Sequence, residues 1–317
     1  MGTITHKAGR IAVSKVTDVV LKNLDKDREK EILKLVDFIE KYMDGEKLDV
    51  DFNNIRKKIE DKDSAINKYI NKALDEIDPG VLKTIVLNLG FEAFLNGTKT
   101  IRKMREKYDC NIPWLILMDP TSACNLHCEG CWAAEYGHNQ NLSLEEIGSI
   151  INQGKELGTH VYIYTGGEPL VRKKDLIALC EMHPDCAFLA FTNGTLVDED
   201  FCQEMIRVKN FVPAISVEGF EAATDARRGE GTYQKVNKAM ELLHKNGLPF
   251  GVSCCFTSAN ADSIASEEFF DWLVEKGALF AWIFTYMPVG VNSPASLIPN
   301  PDQREYLYHF VRKMRSE

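Results

Sequence analysis

The stretch "WLILMDPTSACNLHCEGCWAAEYG", residues 114–137, begins as an apolar run and ends as a loop with three cysteines at spacings of four and three. Apolar residues closed by Asp119 and Pro120 read as a buried strand over 114–119. Cys124, Cys128 and Cys131 come after Pro120, where the chain has left the strand and can wrap around a group held there. Gly130, beside the third cysteine, lets backbone approach closely.

Outward from this stretch the same texture recurs. Short apolar runs predict further strands at 161–164, 187–191, 211–217, 250–256 and 279–285, with helical patterns at 143–157, 173–182, 198–208, 232–246, 263–276 and 302–315. Six strand-helix units in succession predict parallel strands joined by right-handed crossovers. In such sheets ligands sit at the carboxyl ends of the strands. The unusual residues fall there: the cysteines after the first strand, "TGGEP" after the second, "TNG" after the third, "EG" after the fourth and "MPVG" after the sixth. These loops are expected to face one pocket.

Upstream, residues 1–110 carry no strand signal. "DREKEILKLVDFIEKYM" spaces Ile32, Leu33, Leu35, Val36, Ile39 and Met43 as one apolar helical face. "DSAINKYINKALDEIDPG" does the same with Ile66, Ile70, Ala73, Leu74 and Ile77, and stops at Pro79 and Gly80. A third helical segment covers residues 80–108. The expected organisation is a helical subdomain over 1–110 and a strand-helix domain over 111–317.

Composition narrows the function. With 44% hydrophobic residues in 317 the chain can bury a sizeable core. Lys and Arg number 38 against 47 Asp and Glu, a net charge of -9 with no long run of one sign, which argues against a nucleic-acid surface. No window has the apolar length of a signal peptide core or a spanning helix, so a cytoplasmic protein is expected. Nine cysteines in a reducing compartment stay free unless they are ligands or catalysts, which makes a disulfide framework the weakest account of the loop.

Zinc would need a fourth ligand, and His127 or His138 is available for a Cys3His site. An iron-sulfur cluster suits the loop better, because thiolates hold such clusters and three ligands leave one iron open for another molecule. Cys110, Cys180, Cys186, Cys202, Cys254 and Cys255 have no tight ligand spacing, and most of them read as small core residues; alternation on the fifth strand points one of Cys254 and Cys255 into the barrel, a candidate to line the substrate pocket or donate a hydrogen atom.

Cys124-x3-Cys128-x2-Cys131 at the end of the first of six strand-helix units, followed by Gly166-Gly167-Glu168-Pro169 and Asn193-Gly194, resembles the signature of the radical S-adenosylmethionine (SAM) superfamily over about residues 113–290. The resemblance implies an α/β fold, a partial TIM barrel of the (β/α)6 kind after the all-helical N-terminal segment. It implies a [4Fe-4S] cluster on the three cysteines and SAM chelated at the open iron. Gly166, Gly167 and Glu168 would meet the methionine amino group, with Pro169 stiffening the turn, and Thr192 and Asn193 would support the pocket. Ser216 and Glu218 match positions that hold the ribose or methionine end, and Arg228, or Arg227 beside it, the one that pairs with the SAM carboxylate. "YMPVG", 286–290, is similar to a loop that borders adenine. The chain departs from the pattern twice: Gly130 stands where members usually carry an aromatic residue, with Trp132 just after, and Glu218 stands where Asp is commoner.

The implied function is an enzyme that cleaves SAM reductively to a 5'-deoxyadenosyl radical, with a reductant such as flavodoxin or ferredoxin as partner. The substrate, a lipid or isoprenoid on one reading and a peptide or cofactor precursor on the other, is left open. No cysteine follows Cys255, so no cysteine-rich auxiliary-cluster extension is expected in the chain as given. A non-catalytic iron-sulfur or zinc protein that senses redox state or docks partners would explain the cysteines but not "GGEP", Ser216 or Arg228.

Overall fold

The computed structural model describes residues 2–43, 50–133, 137, 139–289 and 293–316. His138 and Gly290, both weighed above, lie outside the described residues. The chain forms two compact units, one of residues 1–116, 152–161 and 184–187, the other of residues 117–151, 162–183 and 188–317.

The first unit carries helices α1 (Gly2–Asn23), α2 (Arg28–Tyr42), α3 (Phe52–Glu60), α4 (Ala65–Glu76), α5 (Pro79–Ile85) and α6 (Thr98–Tyr108). Each of α2 to α5 begins at a side-chain cap: Asp27, Asp51, Ser64 and Asp78 accept from backbone N–H groups of their first turns. Pro79 at the first position of α5, read above as a stop, also starts the next helix, where its missing N–H is no loss. Between α5 and α6 the helix continues as a π-helix, Val86–Gly97, a widening that apolar spacing does not reveal. Its Leu87, Phe91 and Leu95 pack with Val13 and Met43 as a core.

The polar residues of the π-helix are buried as well. Asn88, 1% exposed, donates from Nδ2 to the carbonyls of Pro184 (3.0 Å) and Cys186 (2.8 Å) and accepts from Arg10 (3.0 Å). Glu92, fully buried, binds Arg10 and His6, each at 2.7 Å. Burial of these groups is tolerated because each finds partners.

The sheet runs in the order β1 (Leu115–Thr121), β2 (Val161–Gly166), β3 (Ala187–Thr192), β4 (Phe211–Ser216), β5 (Gly251–Phe256), β6 (Ala281–Thr285), a half-barrel of six parallel strands. Helices α7 (Leu144–Leu157), α8 (Lys173–Met182), α9 (Glu199–Val208), α11 (Thr232–Lys245) and α13 (Glu267–Glu275) lie close to their sequence expectations. Short α10 (Glu221–Arg228) and α12 (Ala261–Ile264) are additions, and α14 (Pro301–Ser316) ends the chain. The sequence of α10, "EAATDARR", offers no apolar stripe to reveal it. β1 continues through Pro120 to Thr121, two residues beyond its expected end. Proline is tolerated there because β1 is an edge strand.

Phe191 of β3 touches Trp282 (5.0 Å between ring centroids) and Phe284 (5.6 Å) of β6. β3 and β6 are separated by two strands, so these rings meet only because the sheet curls and turns them to its concave face. Tyr162, Tyr164 and Phe188, on the opposite face, are fully buried.

Replacing Asn88 by Ala leaves two buried carbonyls without a donor and Arg10 without one acceptor. The expected loss is about 1–3 kcal/mol of unfolding free energy, to be read from denaturant titration.

Candidate functional site

The segments after β2, β3, β4 and β6 each make a contact with the cysteine loop that follows β1. The loop leaves β1 at Thr121, whose hydroxyl donates to Asn141 Oδ1 (2.6 Å) and accepts the N–H of Ala123 (3.0 Å). Arg172 braces this exit from below, donating to the carbonyls of Pro120 (2.7 Å) and Leu142.

The Gly-Gly-Glu segment after β2 lies directly on the start of the loop. Gly167 N–H donates to Thr121 O (2.9 Å) and Glu168 N–H to Ala123 O (2.8 Å). A Cβ on Gly167 would stand 2.2 Å from Ala123 O, and one on Gly166 2.7 Å from Thr121 O, with Gly166 also at φ +99°. The glycines are therefore required by the approach of two backbones, a reason additional to any exposure of their carbonyls.

Glu168 is 1% exposed and spends its carboxylate inside the protein. Oε1 accepts from the Thr192 hydroxyl (2.6 Å) and Leu170 N–H (2.9 Å), and Oε2 from Asn193 N–H (2.7 Å). Burial pushes its carboxyl above the usual glutamate range, against the pull of these three donors. Pro169 opens the short helical turn Pro169–Arg172 that Glu168 caps. Asn193 then reaches the cysteine loop, donating from Nδ2 to Asn125 Oδ1 (2.8 Å), while Asn125 donates to the Thr195 hydroxyl (2.8 Å).

From the fourth strand, Glu218 holds the other side. It has no exposed surface, and Oε1 takes Arg227 Nη1 (2.6 Å) and Arg228 Nε (2.7 Å), while Oε2 takes the N–H of Cys255 (2.8 Å). Although burial raises it, the two guanidinium groups prevail and hold its carboxyl below the usual range. Arg228 extends from this pair to Cys128, with Nη1 3.8 Å from Sγ, and the carbonyl of Arg227 accepts Glu129 N–H (2.8 Å). Ser216, at the end of β4, pairs in register with Ser253 and is 9% exposed.

The last contact comes from Tyr286, just after β6. A Cβ on Gly130, at φ +65°, would meet its ring at 2.7 Å (Cε2) and its hydroxyl at 2.9 Å. Tyr286 occupies the space a side chain at 130 would need.

The three thiols are half-buried. Burial pushes Cys124 and Cys128 up; the neighbouring thiols add to this, and Arg228 opposes it at Cys128. Among the described residues no three of His, Cys, Asp and Glu are gathered as one metal ion needs. Beside the loop lies a cleft of about 480 Å³ lined in part by Asp119, Trp132, Gly166 and Gly167. Asp119, whose carboxyl burial pushes up, was not singled out by sequence, although alternation along β1 sets it on the face of Leu117. Of the other cysteines, Cys180, Cys186, Cys202 and Cys254 are buried; Cys255 is half-buried, as alternation with Cys254 requires, and Cys110 is exposed.

Two substitutions test this arrangement. Gly130→Ala forces a Cβ into Tyr286 at an unfavourable φ, and is expected to lower thermal stability and to move Tyr286 in its crystal structure. Glu218→Gln leaves two buried guanidinium groups without their counter-ion and is expected to cost about 3–5 kcal/mol. Because the Glu218 carboxyl is depressed, its stabilisation is present above the ordinary glutamate range and is lost as pH falls through the folded value; unfolding titrations of Glu218→Gln should show a flatter acid limb.

Comparison with known proteins agrees with the architecture. Residues 118–265 match the family profile described as Radical SAM superfamily. An AdoMet-dependent heme synthase of Methanosarcina barkeri is 26% identical over 213 residues, 65% of this chain and 60% of that protein. A GTP 3',8-cyclase of Syntrophomonas wolfei is 32% identical over 59% of each. The crystal structure of Streptococcus suis SuiB bound to S-adenosylmethionine superposes with a TM-score of 0.57 at 18% identity, covering 69% of this chain and 51% of that one, a likeness of fold. The chain spans about half the length of the heme and Fe-coproporphyrin III synthases it matches. The matched barrel, its cysteine loop and these relatives make the chain similar to the radical SAM superfamily over residues 118–265.

Proposed function

We propose that the barrel is the core of a radical SAM enzyme, with Cys124, Cys128 and Cys131 holding a [4Fe-4S] cluster and SAM bound beside it. The donor set fits such a group. A cluster of this kind takes each thiolate on a different iron, so its ligands stand around it rather than converge on one point. The observation that carries the reading is that four separate loops pin the three-cysteine loop, one of them on the side of Cys128, where Arg228 donates to the thiol and the carbonyl of Arg227 accepts the Glu129 N–H. When bound, the cluster supplies the electron that cleaves SAM reductively to a 5'-deoxyadenosyl radical.

The chain's own residues divide the remaining work. Gly166 and Gly167 give SAM a backbone edge close to the cluster, and Glu168 and Pro169 hold that edge in place. Glu168 does so through Thr192 and Asn193, and retains capacity at Oε2 for an ammonium group. Arg228 supplies positive charge for the SAM carboxylate and for the thiolates. Glu218 acts through the two arginines it orients, and Ser216 lies at the same strand end. Residues 1–110 are read as a helical subdomain, and flavodoxin or ferredoxin as the electron source.

The concave wall below the site favours a substrate with an apolar, planar body. Leu117, Trp282 and Phe284 are 53%, 36% and 50% exposed there, with Phe191 against the last two. Rings of this kind offer stacking and dispersion to a flat ligand. Relatives named for heme and Fe-coproporphyrin III fit a cofactor precursor of that form more closely than a peptide does.

The test is anaerobic reconstitution with iron and sulfide, then dithionite and SAM, with 5'-deoxyadenosine followed by chromatography. Formation by the wild type and its loss in Cys128→Ala are expected. A fully loaded cluster that neither binds nor cleaves SAM would turn the assignment to a redox or partner-binding protein.

A further inference from the structure

Tyr286 raises a question that packing alone does not answer. It is 4% exposed, and its N–H is fixed by Phe256 O (2.9 Å), so its position is set by the pairing of β5 and β6. Among the described residues its hydroxyl is buried with no hydrogen-bond partner. Phenylalanine would fill the same space without burying a polar group, and an orphaned buried hydroxyl carries a desolvation cost with nothing to offset it.

The hydroxyl lies against Gly130, between Cys128 and Cys131, at 2.9 Å from where a Cβ would be. A second orphan flanks the same loop. Arg227 Nε is buried without a partner among the described residues, although the same guanidinium holds Glu218 through Nη1 and the same residue's carbonyl binds Glu129 N–H. Both unsatisfied groups can donate, and both border the segment that carries two of the three thiols. The complement of two unpaired donors beside one loop is an acceptor, and a sulfur-rich anion is an acceptor.

We propose that the Tyr286 hydroxyl donates a hydrogen bond to a sulfur of the group held by Cys128 and Cys131, with Arg227 Nε as a second donor, and thereby raises the reduction potential of that group. The proposal rests on the cluster reading above. Donors to cluster sulfurs stabilise the reduced, more negative form, which shifts the potential upward. Tyr286 is then a positioning and tuning residue, and Gly130 is the residue that lets it come close enough.

The experiment compares reconstituted wild type with Tyr286→Phe, which keeps the ring on Gly130 and removes only the hydroxyl. Iron and sulfide content are measured first, and then the midpoint potential by redox titration followed by electron paramagnetic resonance, without SAM. Equal loading with a more negative midpoint in Tyr286→Phe is the expected result. An unchanged midpoint at equal loading overturns the proposal, as does a difference that appears only when SAM is added, since the hydroxyl then serves SAM. A folded variant that loads no cluster also overturns it, because the hydroxyl would be needed for assembly and not for tuning. Should the variant not fold, the wild type decides: an exchangeable proton coupled to the reduced cluster, lost in deuterium oxide, is expected, and its absence overturns the proposal. A wild type that takes up no cluster defeats the cluster reading instead, a separate result.

Discussion

A carboxylate with no exposed surface, Glu218, holds two guanidinium groups at the end of β4, and much of the surrounding geometry depends on that pairing. Two adjacent arginines on the last turn of α10 would repel one another in a half-buried site. Glu218 neutralises part of their charge and fixes both directions, Arg228 toward Cys128 and Arg227 along the backbone of Glu129. Its other oxygen takes the N–H of Cys255, so β4, β5 and the cysteine loop are tied through one side chain. Such a group is costly to bury alone and stable only with every partner in place.

The cysteine loop shows the same logic from its own side. It has no regular secondary structure between Thr121 and Ala133 apart from turns, so its shape has to come from contacts with other loops. Backbone bonds from Gly167 and Glu168 hold one end, Asn193 the middle through Asn125, and Arg227 and Tyr286 the far end. The result is a loop preorganised by polar contacts rather than by a core, which suits a site meant to receive a charged group. Below it the concave face carries Phe191, Trp282 and Phe284, so the chemistry of the site changes from polar to aromatic within one residue along β3 and β6.

Much of this was legible from the chain. The six apolar runs marked the strands because parallel strands are covered on at least one face and recur between amphipathic helices. The cysteine spacing, "GGEP", Asn193 and Arg228 were all visible, being short motifs at strand ends. Other features were hidden for definite reasons. α10 is too polar to show an apolar stripe, the π-helix keeps a helical spacing of apolar residues, and β1 runs through a proline that an edge strand tolerates. The reason for Gly167 could not be seen either, because the atom that excludes a side chain there belongs to Ala123, 44 positions earlier in the chain.

The sequence by itself determined the strand-helix order, the three thiols, and the placement of unusual residues at one end of the sheet, since these follow from local periodicity and spacing. Only the tertiary structure decided that Glu218 is shared by two arginines, that Asn193 reaches Asn125, and that the ring of Tyr286 fills the space left by Gly130, 156 positions away. Those contacts join segments distant in the chain, and they exist because the curl of the sheet brings the carboxyl ends of β1, β4 and β6 together, a consequence of packing that no local pattern encodes.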